Sequence, residues 1–171
     1  MINIRIENQG DILQVRTLNE QAFELPAEAN IVDKLRQACP DFISLVAEDG
    51  KIIVGHILFN PVVIEESGRK LQGMGLAPMA VMPNRQRQGI GSMLVKRGLE
   101  ILNEQDCPFV VVLGHPEYYP RFGFEPASRY NIKSQWEGVP DEAFMIAVFD
   151  NNLMRNSGGV ARYRDEFNDA M

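Results

Sequence analysis

The chain has 171 residues, of which 45% are hydrophobic and 23% are charged, and its formal net charge is −6. This length and composition suit one globular domain with a single core. The acidic balance argues against nucleic acid or an anionic membrane as the main partner, because both favour a basic protein surface.

The sequence carries no targeting or metal-binding pattern. Residues 1–6 alternate apolar and polar side chains, which is typical of a strand and not of a signal peptide. No stretch approaches the run of about 18 apolar residues that a membrane span needs. The two cysteines, Cys39 and Cys107, lie in no Cys-x-x-Cys or histidine-rich context. We therefore expect reduced thiols, no bound metal and a cytoplasmic protein.

The first half of the chain predicts two helices and an antiparallel hairpin. Helical spacing of apolar residues begins near Ile12 and breaks at Leu25-Pro26. A second helix is expected from Glu28 to Ala38. Two apolar runs, 42–47 and 52–64, are then joined through Asp-Gly, which is a strong hairpin signal.

The next strand is irregular. Gly73, Gly75 and Pro78 are unusual inside a strand, and together they predict a bulge or a local splay. The apolar run Leu76 to Val81 then ends before a proline, which cannot donate to a sheet ladder.

The second half of the chain predicts a buried strand followed by a short turn. Phe109 to Leu113 is a continuous apolar run, typical of a central strand that pairs in parallel. After it, His115 and Pro116 are expected to open a brief helical turn, which Gly123 ends. Phe144 to Phe149 is the last clear strand.

The stretch Met82 to Val95 organises the chain as strand, glycine-bearing turn and helix start. The first amides of a helix have no internal partner and carry the positive end of its dipole, so they bind phosphate well. Gly89 would let backbone approach an anion, and Gly91 would let the helix start pack closely. Arg85 and Arg87 would add positive charge.

This turn is neither a Walker loop nor a dinucleotide fingerprint. No lysine follows Gly91, and Leu94 stands where a third glycine is needed. The pattern that remains, Gln86-x-x-Gly89-x-Gly91, resembles the Gln/Arg-x-x-Gly-x-Gly/Ala signature of the GNAT superfamily of N-acetyltransferases. In that superfamily the turn holds the pyrophosphate of coenzyme A.

A second element strengthens the resemblance. Tyr119-Pro-Arg-Phe-Gly-Phe124 is similar to the superfamily's Tyr-x-x-x-Gly-Phe element. Together with Tyr118 it resembles a bacterial branch, the YhbS-like predicted N-acetyltransferases.

The resemblance implies an acetyl-CoA-dependent enzyme that moves an acetyl group directly to a primary amine. It implies a single mixed α/β (α+β) domain over residues 1–171, with a core over 1–150 and a C-terminal extension over 151–171. We expect a splayed, mostly antiparallel sheet of six or seven strands, parallel in the middle and flanked by about four helices. The expected partners are acetyl-CoA and an amine, without metal, nucleic acid or membrane, and a homodimer is compatible with the pattern.

The resemblance places the cofactor on two neighbouring segments. The backbone before the turn is expected to pair with the pantetheine arm, and the turn is expected to bind the pyrophosphate. The residues implied as cofactor-binding are Met79, Ala80, Val81, Gln86, Arg87, Gln88, Gly89, Ile90, Gly91 and Ser92.

Acetyl transfer also needs an acid. The leaving thiolate must gain a proton, since a thiol of this kind has a pKa of about 8.5. A tyrosine hydroxyl has a pKa of about 10, so at neutral pH it is protonated and can donate. By its position in the motif, Tyr119 takes this role, with Tyr118 as the alternative.

The base that takes a proton from the acceptor ammonium is less defined. The strand segment 71–82, where some family members carry a carboxylate, contains neither Asp nor Glu. The remaining candidates are His56, His115, Glu117, Glu28 or a chain of water molecules. His115 is taken as the catalytic candidate because it follows the buried strand, although a helix-capping role is the alternative.

Two interpretations from other classes stay open. A non-catalytic acyl-CoA sensor would keep the turn and the splay but would need no base. A nucleotide-binding regulatory domain would bind ATP or NAD as well as acetyl-CoA.

Overall fold

Helices and strands follow one another in the predicted order. The structure, a computed structural model, describes residues 1–155 and 158–168, so residues 156–157 and 169–171 of the expected C-terminal extension lie outside the described part. The helices are α1 (Ile12–Phe23), α2 (Ala27–Ala38), α3 (Ile90–Glu104) and α4 (Asn151–Met154). The strands are β1 (Ile2–Ile6), β2 (Ile43–Asp49), β3 (Ile52–Glu66), β4 (Arg69–Val81), β5 (Phe109–Leu113), β6 (Glu125–Pro126), β7 (Ile132–Ser134), β8 (Phe144–Val148) and β9 (Gly159–Arg162).

The predicted fold class is confirmed: the chain is mixed α/β, with mostly antiparallel strands and four helices in its described part. The predicted number of six or seven strands is too low, because the described residues form nine. The additional strands β7 and β9 are three and four residues long. Segments this short are too brief to show the alternation of side chains from which strands are predicted.

The first of two compact units comprises residues 1–60 and 77–99 with the described residues from 166 onward. Its strands β1, β2 and β3 pair antiparallel in that order. Asp49 lies opposite Ile52, so the predicted Asp-Gly hairpin is confirmed. α1 packs on α2, and the break predicted at Leu25-Pro26 separates the two helices.

The second unit comprises residues 61–76 and the described part of 100–165. Here β5 pairs in parallel with β4 and antiparallel with β8, and its first four residues are fully buried. The predicted buried parallel strand is therefore confirmed. The described register of β4 with β5 ends at Leu76, whereas β4 itself continues to Val81. Close packing explains why position 73 is a glycine, because a Cβ there would lie 2.6 Å from the Phe109 carbonyl oxygen.

A chain of buried polar side chains crosses the first unit. Asn19 on α1 donates from Nδ2 to Nδ1 of His56 on β3, at 3.2 Å. The other ring nitrogen of His56, Nε2, lies 2.8 Å from Oγ of Ser44 on β2. The Ser44 hydroxyl donates to the carboxylate of Glu7, and Glu7 also forms an ion pair with Arg36 of α2.

The contacts of this chain define the protonation of His56. The Ser44 hydroxyl donates its only hydrogen bond to Glu7, so its oxygen accepts a hydrogen bond from Nε2–H of His56. Nδ1 of His56 accepts a hydrogen bond from the Asn19 amide. Burial, followed by the charge of Arg36, lowers the pKa of His56 to about 3. His56 is 0% exposed and neutral. The structure therefore removes it from the candidate bases.

We expect His56 to make the protein less stable in mild acid. Unfolded histidine has a pKa of about 6.5. Because the folded pKa is lower, the unfolded state binds more protons below pH 6.5. The contribution of neutral His56 is thus complete above that pH and is lost as the pH falls toward 3. Between pH 7 and pH 5 this single group should lower the free energy of unfolding by about 1–2 kcal/mol.

Urea unfolding at pH 7 and pH 5 measures this loss. His56→Gln should be less stable than the natural protein at pH 7 but should lose less stability on acidification. His115→Gln is the matched control, because it removes the chain's other histidine, which is exposed. An unchanged loss in His56→Gln would show that the acid sensitivity has another source.

Candidate active site

The predicted phosphate turn connects the end of β4 to the start of α3. Arg87 and Gly89 both adopt left-handed backbone, with φ of 63° and 86°. Left-handed residues in such a turn direct neighbouring N–H groups to one side, which makes a concave anion-binding surface. The Gly89 carbonyl accepts from the Met93 N–H at 3.1 Å, so Gly89 caps the start of the helix.

The turn is attached to the two strands that precede it. Nε2 of Gln86 donates to the Val81 carbonyl oxygen at 3.1 Å, which closes the segment between them into a loop. The Met82 N–H donates to the Val54 carbonyl of β3 at 2.9 Å. The side chain of Gln86, expected from the sequence to contact the cofactor, thus has a structural role in fixing the turn.

The two arginines of the turn have different environments. Nη2 of Arg85 lies 3.0 Å from a carboxylate oxygen of Asp49, and its Nε donates to Oε1 of Gln88 at 3.4 Å. This contact with Arg85 lowers the pKa of Asp49. Arg87 is exposed and has no ion-pair partner within the described part of the chain. The charge expected from both arginines is therefore presented to solvent by Arg87, while Arg85 is paired.

The residues expected to bind the cofactor differ in how far they are exposed to solvent. The turn residues Gln86, Arg87, Gln88 and Gly89 are exposed, Gly91 and Ser92 are half-buried, and Ile90 is buried in the core. On β4, Ala80 is buried, and Met79 and Val81 are half-buried. All of these residues belong to the first unit.

The second motif forms a short 3-10 turn in the second unit, which begins at Tyr119 rather than at His115 and Pro116 as expected and ends at Gly123 as expected. The N–H groups of Tyr118 and Tyr119 both donate to the His115 carbonyl, at 3.1 and 3.3 Å. The turn spans Tyr119–Phe122. It ends at Gly123, whose φ is 94° and whose N–H donates to the Pro120 carbonyl at 3.0 Å.

Tyr119 is held by aromatic neighbours. Its ring meets Tyr118 edge-on at 5.1 Å between centroids and Phe124 at 5.6 Å. Burial, with a smaller effect of Tyr118, raises the pKa of Tyr119, so its hydroxyl is protonated throughout the physiological range. A Cβ on Gly114 would lie 2.4 Å from the Tyr119 ring. Glycine directly after the buried strand is therefore what leaves space for this side chain.

Arg121 supports the same turn, a role that the sequence analysis missed. Its guanidinium lies 4.6 Å from the centroid of the Tyr118 ring. Its Nε donates to the Tyr118 carbonyl at 2.9 Å. Arginine is common on protein surfaces, so only the local spacing from Tyr118 would have indicated this contact.

The remaining base candidates lie in both units. His115 and Glu117 are both exposed and precede the turn Tyr119–Phe122. Glu28 is half-buried in the first turn of α2, in the first unit. The described residues contain no group of three His, Cys, Asp or Glu side chains that could hold a metal ion. Of the described helices, none is both long and apolar enough to cross a membrane.

Known proteins resemble this chain over nearly its whole length. The family model of the GNAT acetyltransferase domain matches residues 3–127. The uncharacterized N-acetyltransferase YhbS of Escherichia coli K12 is 35% identical over 166 residues, which cover 96% of this chain and 98% of that protein.

Two solved structures extend the similarity to three dimensions. A crystal structure of E. coli YhbS in complex with CoA matches with a TM-score of 0.89 and 35% identity, covering 98% of this chain and 92% of that one. A GNAT acetyltransferase from Brucella melitensis in complex with acetyl-CoA matches with a TM-score of 0.79 and 33% identity, covering 98% of both chains. As its two sequence motifs indicate, the chain belongs to the GNAT family of N-acetyltransferases.

Proposed function

We propose that this protein moves an acetyl group from acetyl-CoA directly to a primary amine. The observation that carries the proposal is the turn before α3, where left-handed backbone at Arg87 and Gly89 leads into a 15-residue helix. Relatives with 33–35% identity over most of the chain were solved with CoA or acetyl-CoA, which supports the same ligand here.

In the proposed complex the pyrophosphate lies on the turn. The N–H groups from Gly89 to Ser92 donate to its oxygens, and the exposed guanidinium of Arg87 adds a charge-assisted contact. Glycine at position 89 has open space in front of it, because a Cβ there would meet nothing within 4 Å. That space is what an anion approaching the backbone requires.

The pantetheine arm is proposed to pair with β4 beyond Leu76, where the described register with β5 ends. The backbone of Met79, Ala80 and Val81 is the segment available for this pairing. Polarising the thioester carbonyl needs a hydrogen-bond donor, and we assign this role to a backbone N–H near Val81. The Val81 carbonyl oxygen is an acceptor and is hydrogen-bonded to Gln86. A single donor of this kind contributes about 3 kcal/mol in other enzymes.

The transfer step removes two protons from the acceptor ammonium and delivers one to the leaving thiolate. The amine first loses a proton, for which His115 is the proposed acceptor, and its nitrogen attacks the thioester carbon. The carbon–sulfur bond breaks, and the departing thiolate takes a proton from the Tyr119 hydroxyl. The second proton lost by the attacking nitrogen restores that hydroxyl, so the amide forms neutral. Because the pKa of Tyr119 is raised, the hydroxyl acts by donating a hydrogen bond to the developing thiolate and releases its proton only as the thiol leaves.

Thermal unfolding tests the cofactor site. At about 100-fold excess over Kd a ligand adds about 2.7 kcal/mol of stability. For a chain of this size we expect acetyl-CoA to raise Tm by roughly 5–10 °C, and ATP or NAD to raise it much less. An equal rise with ATP or NAD would favour a nucleotide-binding domain instead.

Two glycines with the same backbone conformation make the test specific. Gly89 and Gly68 have φ of 86° and 82°, and a Cβ on either would meet nothing within 4 Å. Gly89→Ala and Gly68→Ala should therefore lower stability by a similar amount, about 1–2 kcal/mol. Only Gly89→Ala should also reduce the rise of Tm with acetyl-CoA. Equal rises in the two variants would contradict the placement of the pyrophosphate.

Tyr119→Phe tests the acid. We expect kcat to fall by about 100-fold or more, with the acetyl-CoA shift of Tm retained, because only the proton donor is removed. Tyr118→Phe is the matched control and should keep most of the rate. Gly114→Ala should also lower kcat, because its Cβ would displace the Tyr119 ring and with it the hydroxyl, although the hydroxyl group itself is retained.

The outcomes of this assay separate the candidates. Loss of rate in Tyr118→Phe rather than in Tyr119→Phe would assign the acid to Tyr118. A rate in His115→Gln within twofold of the natural protein would exclude His115 as the base. Acetyl-CoA binding without turnover of any amine would favour a non-catalytic acyl-CoA sensor.

A further inference from the structure

A cavity of about 670 Å³ lies in the second unit, in the segment between β6 and β8. Its size is within the range of small-molecule sites. We call it the Trp136 cavity, after the only tryptophan of the chain. Its walls are Ser128, the continuous stretch 131–141 and Phe144.

The aromatic side chain that lines the Trp136 cavity is held in position by its neighbours. The Trp136 ring packs on Tyr163 with 4.8 Å between centroids. Beside it, Oε1 of Gln135 accepts from the Tyr163 N–H at 2.5 Å. The backbone N–H of Trp136 donates to Oγ of Ser134 at 3.2 Å. The indole is therefore held in a defined place before any ligand arrives.

The charged wall is acidic. Asp141 is oriented by Ser128, whose hydroxyl donates to it at 3.0 Å. Glu137 also lines the cavity and has no hydrogen-bond or ion-pair partner within the described ranges. One lysine, Lys133, also lines the cavity, so its two negative charges outnumber its single positive charge. An indole face together with two carboxylates is a surface that favours a cation.

One end of the Trp136 cavity adjoins the strand end that leads to Tyr119. Phe144 of the cavity wall pairs with Leu113, the last residue of β5. The next residue, Gly114, donates its N–H to the Ala143 carbonyl at 2.9 Å and is the glycine against which the Tyr119 ring packs.

Acetyl transfer limits what this acidic wall can recognise. The acceptor nitrogen arrives as an ammonium and must lose a proton before it attacks the thioester, which nearby carboxylates oppose because they stabilise the charged form. The two carboxylates are therefore suited to a different group of the same molecule, one that stays charged. We propose that the Trp136 cavity binds a second, distal cationic group of the acceptor, which is then a diamine-type molecule with an apolar chain between its two nitrogens. This inference rests on the proposed acetyltransferase function and adds to it the class of acceptor.

The experiment compares 1,4-diaminobutane with butan-1-amine, which has the same carbon chain and one charge. Because Trp136 is the only tryptophan, its fluorescence reports binding directly. We expect a saturable change with the diamine, and a KM for its acetylation at least tenfold below that of the monoamine. Asp141→Asn and Glu137→Gln should each raise Kd for the diamine by about five- to tenfold. Glu142→Gln removes a neighbouring exposed carboxylate outside the cavity and should leave Kd within twofold.

Several results would overturn the proposal. Equal binding and turnover of the two amines would do so, as would an equal effect of Glu142→Gln. Binding of the diamine without its acetylation would show that the cavity is not part of the acceptor site. If acetyl-CoA raises Tm and the diamine leaves the fluorescence unchanged, the inference fails while the proposed function stands. If acetyl-CoA itself does not bind, the proposed function fails and the inference fails with it.

Discussion

The first unit depends on one buried series of hydrogen bonds in which each donor has a defined acceptor. It runs from Asn19 through His56 and Ser44 to Glu7, whose charge is balanced by Arg36. Each hydrogen bond in this chain offsets the desolvation cost of burying a polar group, and among its atoms Oδ1 of Asn19 is buried without a hydrogen-bond partner. The five residues come from five different segments: α1, α2, β2, β3 and the position directly after β1. The chain therefore determines how both helices lie on these strands.

That constraint reaches the phosphate turn through β3. His56 is fixed in the hydrogen-bonded chain, and two residues earlier the Val54 carbonyl accepts the Met82 N–H at the end of β4. Gln86 then ties the turn back to Val81. The anion-binding backbone thus starts from a strand position that the buried histidine helps to define. An imidazole first considered as a base acts instead as a neutral spacer between α1 and β2.

The parts of the site that the sequence predicted are those determined locally. A glycine-bearing turn before helical spacing, or a tyrosine four residues before Gly123, depends on backbone preferences over a few residues. Partners distant in sequence were not predictable in this way. Arg85 reads as a phosphate ligand until Asp49, 36 positions away, is found within 3.0 Å of it. The same holds for Gln86, whose role depends on where the Val81 carbonyl points.

The short strands and the Trp136 cavity were missed for a related reason. β7 and β9 have three and four residues, and β9 pairs with β3, from which it is distant in the chain; the side chains of Glu65 and Arg162, 97 positions apart, also form a hydrogen bond there. Sequence periodicity carries no information about such contacts. Trp136 stood out as the only tryptophan, but its use in a cavity wall depends on Tyr163 behind it.

The placement of β9 also bears on which strand edges are open to further pairing. β9 pairs antiparallel with β3 from Val63 to Glu65 and in parallel with β7. It therefore occupies backbone groups of two strands that would otherwise be open edges. Open edges recruit strands from other molecules and promote aggregation. A shortened chain ending at Asp150 would leave the backbone groups of β3 and β7 that pair with β9 without these partners, and we expect such a chain to aggregate more readily.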